Sequence, residues 1–143
     1  MRIIITSGYF DPLHVGHVEC FRLAKNLGGR LIVILNNDNQ AILKKGKIFM
    51  PYEERKSIIK SIRYVDEIFD CIDEDKSVCK SIEMLAQLYS GNEMIFAKGG
   101  DRFSYEVPEA EVCRRIGIRV VDNLGKKIQS SSKLTGLKEI IKT

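Results

Sequence analysis

Apolar residues along this chain fall into short unbroken runs, separated by longer stretches in which they recur every three or four positions. Ile3-Ile4-Ile5 is β-branched throughout and stops at Ser7-Gly8, which predicts a strand buried on both faces. Leu31 to Leu35 is a second such run, halted at Asn36-Asn37-Asp38. Glu67 to Ile72, Met94 to Ala97 and Arg119 to Val121 predict three more strands, the fourth ending at Gly99-Gly100-Asp101. Between them lie helical stripes. The first holds Val15, Val18, Cys20, Phe21, Ala24 and Leu27 and is closed by Gly28-Gly29. A second helix opens at Pro51 with Glu53 and Glu54 in its first turn, where the helix dipole favours acids, and buries Ile58, Ile59 and Ile62. A third spans Asp75 to Tyr89, with Val78, Ile82, Leu85 and Leu88 inward. Glu106 to Ile116 and Ser131 to Lys142 complete the set. The stretch carrying Lys44, Lys45 and Lys47 reads as a polar loop.

Buried strands alternating with helices imply an α/β protein, its five-stranded parallel sheet flanked by helices on both faces. With 143 residues, one domain is expected over 1–143, because a second core needs roughly 100 further residues. Open sheets of this kind bind ligands beyond the C-terminal strand ends, near the point where strand order reverses. The loops after Ser7, Asn36 and Ala97 are therefore the places to look.

Composition narrows the classes. A 44% apolar and 29% charged chain is ordinary for a globular protein and excludes disordered and fibrous types. No apolar run approaches the roughly 20 residues that span a bilayer, and Arg2-Ile3-Ile4-Ile5-Thr6 shows no signal-peptide pattern, so no membrane association is expected. Cys20, Cys71, Cys79 and Cys113 lie far apart without a C-x-x-C, which points to reduced thiols in the cytoplasm. The net charge of +4 admits an anionic ligand. Basic and acidic residues alternate along most of the chain, so nucleic acid is not an expected partner.

The chemistry gathers in the first loop, Gly8-Tyr9-Phe10-Asp11-Pro12-Leu13-His14-Val15-Gly16-His17. Both histidines of the chain are here, one helical turn apart at the start of the first helix. A helix N-terminus offers free N–H groups and partial positive charge to a phosphate. Imidazoles add hydrogen bonds to phosphate oxygens, and positive charge when protonated. Gly16 between them removes a side chain where a ligand would approach the backbone. Zinc fails on ligand count, with only two histidines and no third ligand at familiar spacing. A dinucleotide-binding module would need G-x-G-x-x-G here, and a phosphoacceptor signalling domain would need clustered acids beside Asp11; neither pattern is present.

The segment Gly8 to His17 resembles the signature of the cytidylyltransferase-like nucleotidyltransferases, a group that includes glycerol-3-phosphate and phosphoethanolamine cytidylyltransferases and heptose-1-phosphate adenylyltransferases. Met50-Pro51-Tyr52-Glu53-Glu54-Arg55 and Ile62-Arg63-Tyr64-Val65-Asp66-Glu67 are similar to the family's second helix and following strand. Lys98-Gly99-Gly100-Asp101 is similar to the heptose branch, and Ser130-Ser131-Ser132 stands where the family has Ser-Thr-Thr. The resemblance covers nearly the whole chain. It implies a Rossmann-like domain that transfers a nucleoside monophosphate from a triphosphate to a small phosphorylated alcohol or sugar phosphate. The acceptor phosphate would attack the α-phosphorus in line, releasing pyrophosphate without a covalent enzyme intermediate. It also implies a homodimer.

Under that resemblance His14 and His17 contact the α- and β-phosphates, and Lys44 and Lys45 clamp triphosphate or acceptor phosphate. Gly8, Tyr9, Phe10, Gly16, Gly100, Asp101, Ser130, Ser131 and Ser132 join the nucleotide site. Asp11, Lys44, Arg55, Arg63 and Arg102 join the acceptor site; for Arg55 and Arg63, read as two turns apart on one helix, ion pairing to neighbouring acids or a subunit contact in a dimer are equal alternatives. Mg²⁺ is expected on the triphosphate oxygens rather than in a dedicated protein cage. The cytidine-using branch often carries an Arg-Thr pair shortly before its serine-threonine segment; Gly125-Lys126-Lys127-Ile128-Gln129 lacks it. CTP is favoured slightly over ATP, with an adenylyltransferase of the heptose type as the alternative. A non-catalytic nucleotide-binding module is the rival of another class.

Overall fold

The computed structural model describes residues 1–99 and 108–124. Five strands, β1 (Arg2–Gly8), β2 (Arg30–Leu35), β3 (Glu67–Asp70), β4 (Glu93–Gly99) and β5 (Arg119–Leu124), alternate with α1 (Val15–Lys25), α2 (Asp38–Lys45), α3 (Tyr52–Lys60), α4 (Cys79–Leu88) and α5 (Pro108–Ile116). The strands form one sheet in the order β3-β2-β1-β4-β5, and every pair is parallel. The chain moves outward through β2 and β3 on one side of β1, then returns to build β4 and β5 on the other. Strand order therefore reverses between β1 and β4, which is where such sheets open a crevice.

Period-2 alternation sorts the strand side chains onto two faces. Ile3, Ile5, Ile32, Ile34, Met94 and Phe96 pack beneath α4 and α5 against Val78, Ile82, Leu85 and Cys113. Ile4, Leu31, Val33, Leu35, Ile95 and Ala97 pack on the other face against Phe21, Ala24 and Ile59 from α1 and α3. Ile3, Ile4 and Ile5 are all fully buried, and each such side chain contributes about 1.5–3 kcal/mol of transfer free energy.

Several expectations are corrected. Lys44 and Lys45 lie in α2 and not in a loop. Asn37 caps this helix by accepting from the Gln40 N–H, Gln40 reaches back to the Asn37 N–H, and Gly46 ends it with φ 85°. On α1, Val15 is 62% exposed, because the helix begins there, above the sheet edge rather than over it. Ile58 on α3 and Leu88 on α4 are exposed; their helices bury Arg55 and Ile59, or Ile82 and Leu85, instead. Strand β5 continues to Leu124, beyond the expected Val121. The expected Ser131–Lys142 helix lies outside the described residues. Among those described, no helix is long and apolar enough to cross a membrane, and all four cysteines are free thiols.

Candidate active site

At the C-terminal end of β1 the chain makes a compact turn before α1. Phe10 takes a left-handed φ of 53°, uncommon for a side chain of that size, and folds its ring back into the core. Gly8 makes this possible, since a Cβ there would lie 2.7 Å from Phe10 Cζ. The buried ring meets Phe21 at 5.2 Å and the edge of His17 at 4.8 Å between centroids. A wedge of core thus supports the second histidine from below.

His14 is the N-cap of α1 and His17 its third helical residue. The Gly16 N–H donates to His14 Nδ1 at 3.1 Å, and the His14 N–H donates to His17 Nδ1 at 3.2 Å. Each ring therefore uses its Nδ1 lone pair to satisfy an N–H of the helix start. The proton of each neutral imidazole then sits on Nε2, leaving two Nε2–H donors for a ligand. Burial lowers the His14 pKa. Burial first, then the neighbouring charges of His14 and Lys45, lowers that of His17 to about 3. At neutral pH both rings are uncharged, so the positive charge expected of protonated imidazoles is not their contribution. The lysines provide it.

Helix α2 carries those lysines at its C-terminal end, on the strand edge next to the histidines. Lys44 Nζ lies 4.5 Å above the Tyr9 ring, a cation–π distance, and Lys45 is close enough to depress His17. Lys47 is exposed beyond the helix. The Tyr9 hydroxyl donates to the Lys76 carbonyl at 2.9 Å, tying this wall to the loop after β3. Gln40 anchors the same loop by donating to the Asp75 and Ser77 carbonyls.

The structure thus brings Gly8, Tyr9, Phe10, His14, Gly16, His17, Lys44 and Lys45 to one sheet edge. Three residues expected at the acceptor site are engaged within the protein or placed elsewhere. Asp11 is buried, and its carboxylate accepts the N–H groups of Phe49 and Met50. Arg55 is 0% exposed, and its guanidinium is bonded to three backbone carbonyls and Asp38. Arg63 lies past the α3 C-cap, Ser61. Its guanidinium donates to the Tyr64 hydroxyl, beside the Asp66 N–H that bonds Leu31 near the start of β2, which is the opposite edge of the sheet. Gly100, Asp101, Arg102, Ser130, Ser131 and Ser132 lie outside the described residues. At the end of β4, Lys98 Nζ sits 3.3 Å from Asp122 Oδ1, with neither atom completing a hydrogen bond. Among the described residues, no group of three or more His, Cys, Asp or Glu side chains is placed to hold a metal ion.

Residues 5–133 match the family model described as Cytidylyltransferase-like. Glycerol-3-phosphate cytidylyltransferase of Bacillus subtilis (strain 168) is 44% identical over 68 residues, covering 48% of this chain and 53% of that protein. The match therefore spans about half the length of that relative. FAD synthase of Pyrococcus abyssi is 34% identical over 118 residues, 82% of this chain and 75% of that protein. Among solved structures, the lipopolysaccharide core biosynthesis protein from Thermoplasma volcanium GSS1 has the same fold, with a TM-score of 0.62 at 24% identity over 86% of this chain and 96% of that one. By the extent of the family match, which runs from β1 past β5, this chain belongs to the cytidylyltransferase-like family.

Proposed function

We propose that this protein transfers a nucleoside monophosphate from a nucleoside triphosphate to a small phosphorylated alcohol or sugar phosphate. The observation that carries the reading is the stacked, neutral His14–His17 pair at the N-terminus of α1, 3.7 Å between ring centroids, with Lys45 beside it. Two Nε2–H donors, a helix N-terminus and the α2 lysines form a preorganised set of donors and cations for a polyphosphate. A relative named glycerol-3-phosphate cytidylyltransferase supports this chemistry, since its name describes transfer of a cytidylyl group to a phosphorylated alcohol, and one named FAD synthase fits it as an enzyme that makes a dinucleotide.

In the proposed step an acceptor phosphate oxygen bonds to the α-phosphorus as the bond to the β-phosphate oxygen breaks. The bonding pair leaves with pyrophosphate. The protein forms no covalent bond; its work is to align two anions and to stabilise the charge that grows on the bridging and equatorial oxygens. His17, wedged on Phe10, is assigned to the α-phosphate and His14 to the β-phosphate. Lys44 and Lys45 offset the repulsion between donor and acceptor. Gly100, Asp101 and the Ser130–Ser132 segment are assigned to the nucleotide, and Arg102 to the acceptor, on the resemblance alone.

Mg²⁺, bound mainly through triphosphate oxygens, would neutralise part of the triphosphate charge. Beside the histidines the described residues offer N–H donors and ammonium groups, and the Asp11 oxygens already accept two N–H bonds, so this side of the site suits an ion brought in by the nucleotide. CTP is favoured slightly over ATP; Lys98-Gly99-Gly100-Asp101 is what keeps adenylyl transfer as the second reading. A cytoplasmic homodimer is the proposed form, which sedimentation tests. The activity is tested by incubating the protein with Mg²⁺, each of the four nucleoside triphosphates and a panel of phosphorylated alcohols and sugars, and measuring pyrophosphate. Release with one triphosphate–acceptor pair is expected. No release with any pair would overturn the reading and favour a non-catalytic nucleotide-binding module.

A further inference from the structure

We infer that Arg55 is a positioning residue: its buried guanidinium sets the spacing between the histidine loop and the lysine-bearing helix α2. The inference rests on the nucleotidyl-transfer reading for its effect on turnover, though not for its effect on the loops. Arg55 stands among the largest fully buried side chains of the protein. A buried charge is retained in a fold only where its hydrogen bonds are well satisfied, and here they are. Nε donates to the Met50 carbonyl at 3.0 Å, Nη1 donates to the Tyr9 carbonyl at 2.6 Å and the Asn36 carbonyl at 2.8 Å, and Nη2 donates to Asp38 Oδ1 at 2.7 Å.

Those four acceptors belong to four separate points of the sheet edge. Tyr9 is in the loop that leads to His14 and His17, Asn36 follows β2, Asp38 is the first residue of α2, and Met50 precedes α3. A guanidinium is planar with its donors in fixed directions, so four bonds at these distances hold the four points at one spacing. Asp11 completes the arrangement by accepting the Met50 N–H. Met50 is thereby held through its N–H by the histidine loop and through its carbonyl by Arg55. The effect reaches the lysines along two routes. The Tyr9 backbone that Arg55 grips carries the ring beneath Lys44, and Asp38 begins the helix that ends in Lys44 and Lys45.

Lysine in place of arginine keeps the charge but has no fork and cannot reach four acceptors. Loosening the spacing by about 1 Å between groups that align two anions lowers turnover by up to about 100-fold. Arg55 touches neither substrate in this account, so the loss is expected in kcat and not in binding.

The test is Arg55→Lys, compared with wild type by steady-state kinetics on the active substrate pair and by hydrogen–deuterium exchange. The expected result is a kcat lowered about 10- to 100-fold, with KM for each substrate within about threefold of wild type. Exchange is expected to quicken across 8–18 and 36–50 and to stay unchanged in Ile3–Ile5 and Ile95–Ala97. A kcat within twofold of wild type overturns the inference. So does a tenfold rise in the acceptor KM at unchanged kcat, which marks a direct acceptor contact. If the lysine variant does not fold, Asp38→Asn weakens one of the four contacts; slower turnover with faster exchange in 36–50 supports the inference, and wild-type behaviour in both overturns it. A wild type that turns over no substrate strikes the proposed function, and the exchange comparison then decides the positioning role alone.

Discussion

The rings of His14 and His17 stack 3.7 Å apart and 25° from parallel, and each gives up its Nδ1 lone pair to a backbone N–H of the helix start. Protonating either ring at Nδ1 would break one of those bonds and set a like charge against its neighbour. The pair is therefore built as two neutral N–H donors. Charge comes instead from α2, where Lys44 and Lys45 stand at the helix end on the same sheet edge.

One consequence is a pH dependence of stability. His17 is lowered from its usual 6.5 to about 3 by burial, then by His14 and Lys45. Between those values the unfolded chain binds a proton at this site and the folded chain does not. Its contribution to stability is thus fully present above about pH 6.5 and is lost as pH falls toward 3, with a slope of at most about 1.4 kcal/mol per pH unit. Urea denaturation at pH 4.5 to 7.5 measures it: stability of wild type is expected to fall more steeply with acid than that of His17→Asn. Parallel curves would contradict the buried neutral assignment.

Turnover is expected to follow the Nε2–H donor. His17→Ala removes it and is expected to lower kcat about 100-fold, the size associated with losing one transition-state donor, while leaving a folded protein by circular dichroism. His17→Gln, whose amide can place an N–H near the same position, is expected to retain more activity than His17→Asn, which preserves only the Nδ1-like acceptor. Equal activity in Gln, Asn and wild type would remove His17 from the reaction.

The wedge beneath His17 gives a third expectation. A Cβ at Gly8 would sit 2.7 and 2.8 Å from Phe10 Cζ and Cε1, so Gly8→Ala displaces a buried ring that touches both His17 and Phe21. Overpacking of this kind costs about 1–3 kcal/mol, and urea midpoints read it directly. Loss of turnover at temperatures where the variant remains folded would accompany it. An unchanged midpoint with wild-type kinetics would show that the ring is free to move without consequence.

Much of this was legible from side-chain pattern. The runs Ile3-Ile4-Ile5 and Leu31–Leu35 specify strands buried on two faces, and two histidines one turn apart just past the first strand point to the candidate site. What escaped was polar structure inside the protein. Asn37 and Gln40 form a capping box, a readable N-x-x-Q signal that the following lysines obscured by suggesting a loop. Arg55 reads as a ligand for an acceptor phosphate, and Asp11 as a contact to the acceptor, because charged residues are usually exposed. Their burial depends on backbone groups contributed by distant segments, Tyr9, Asn36, Phe49 and Met50, which no local pattern reveals. Spacing puts Arg63 on the same helix as Arg55, but α3 stops at Lys60 and leaves Arg63 at the edge of the sheet opposite the histidines.

The most direct test of the account follows the α-phosphorus itself. Each nucleoside triphosphate, labelled at the α-phosphate, is incubated with Mg²⁺, a phosphorylated acceptor and the protein, and the label and pyrophosphate are measured together. The predicted result is transfer of the label to the acceptor, one pyrophosphate released per label transferred, dependence on both substrates, and no label on the protein. Pyrophosphate absent with every pair, or label retained covalently on the protein, would contradict direct in-line nucleotidyl transfer.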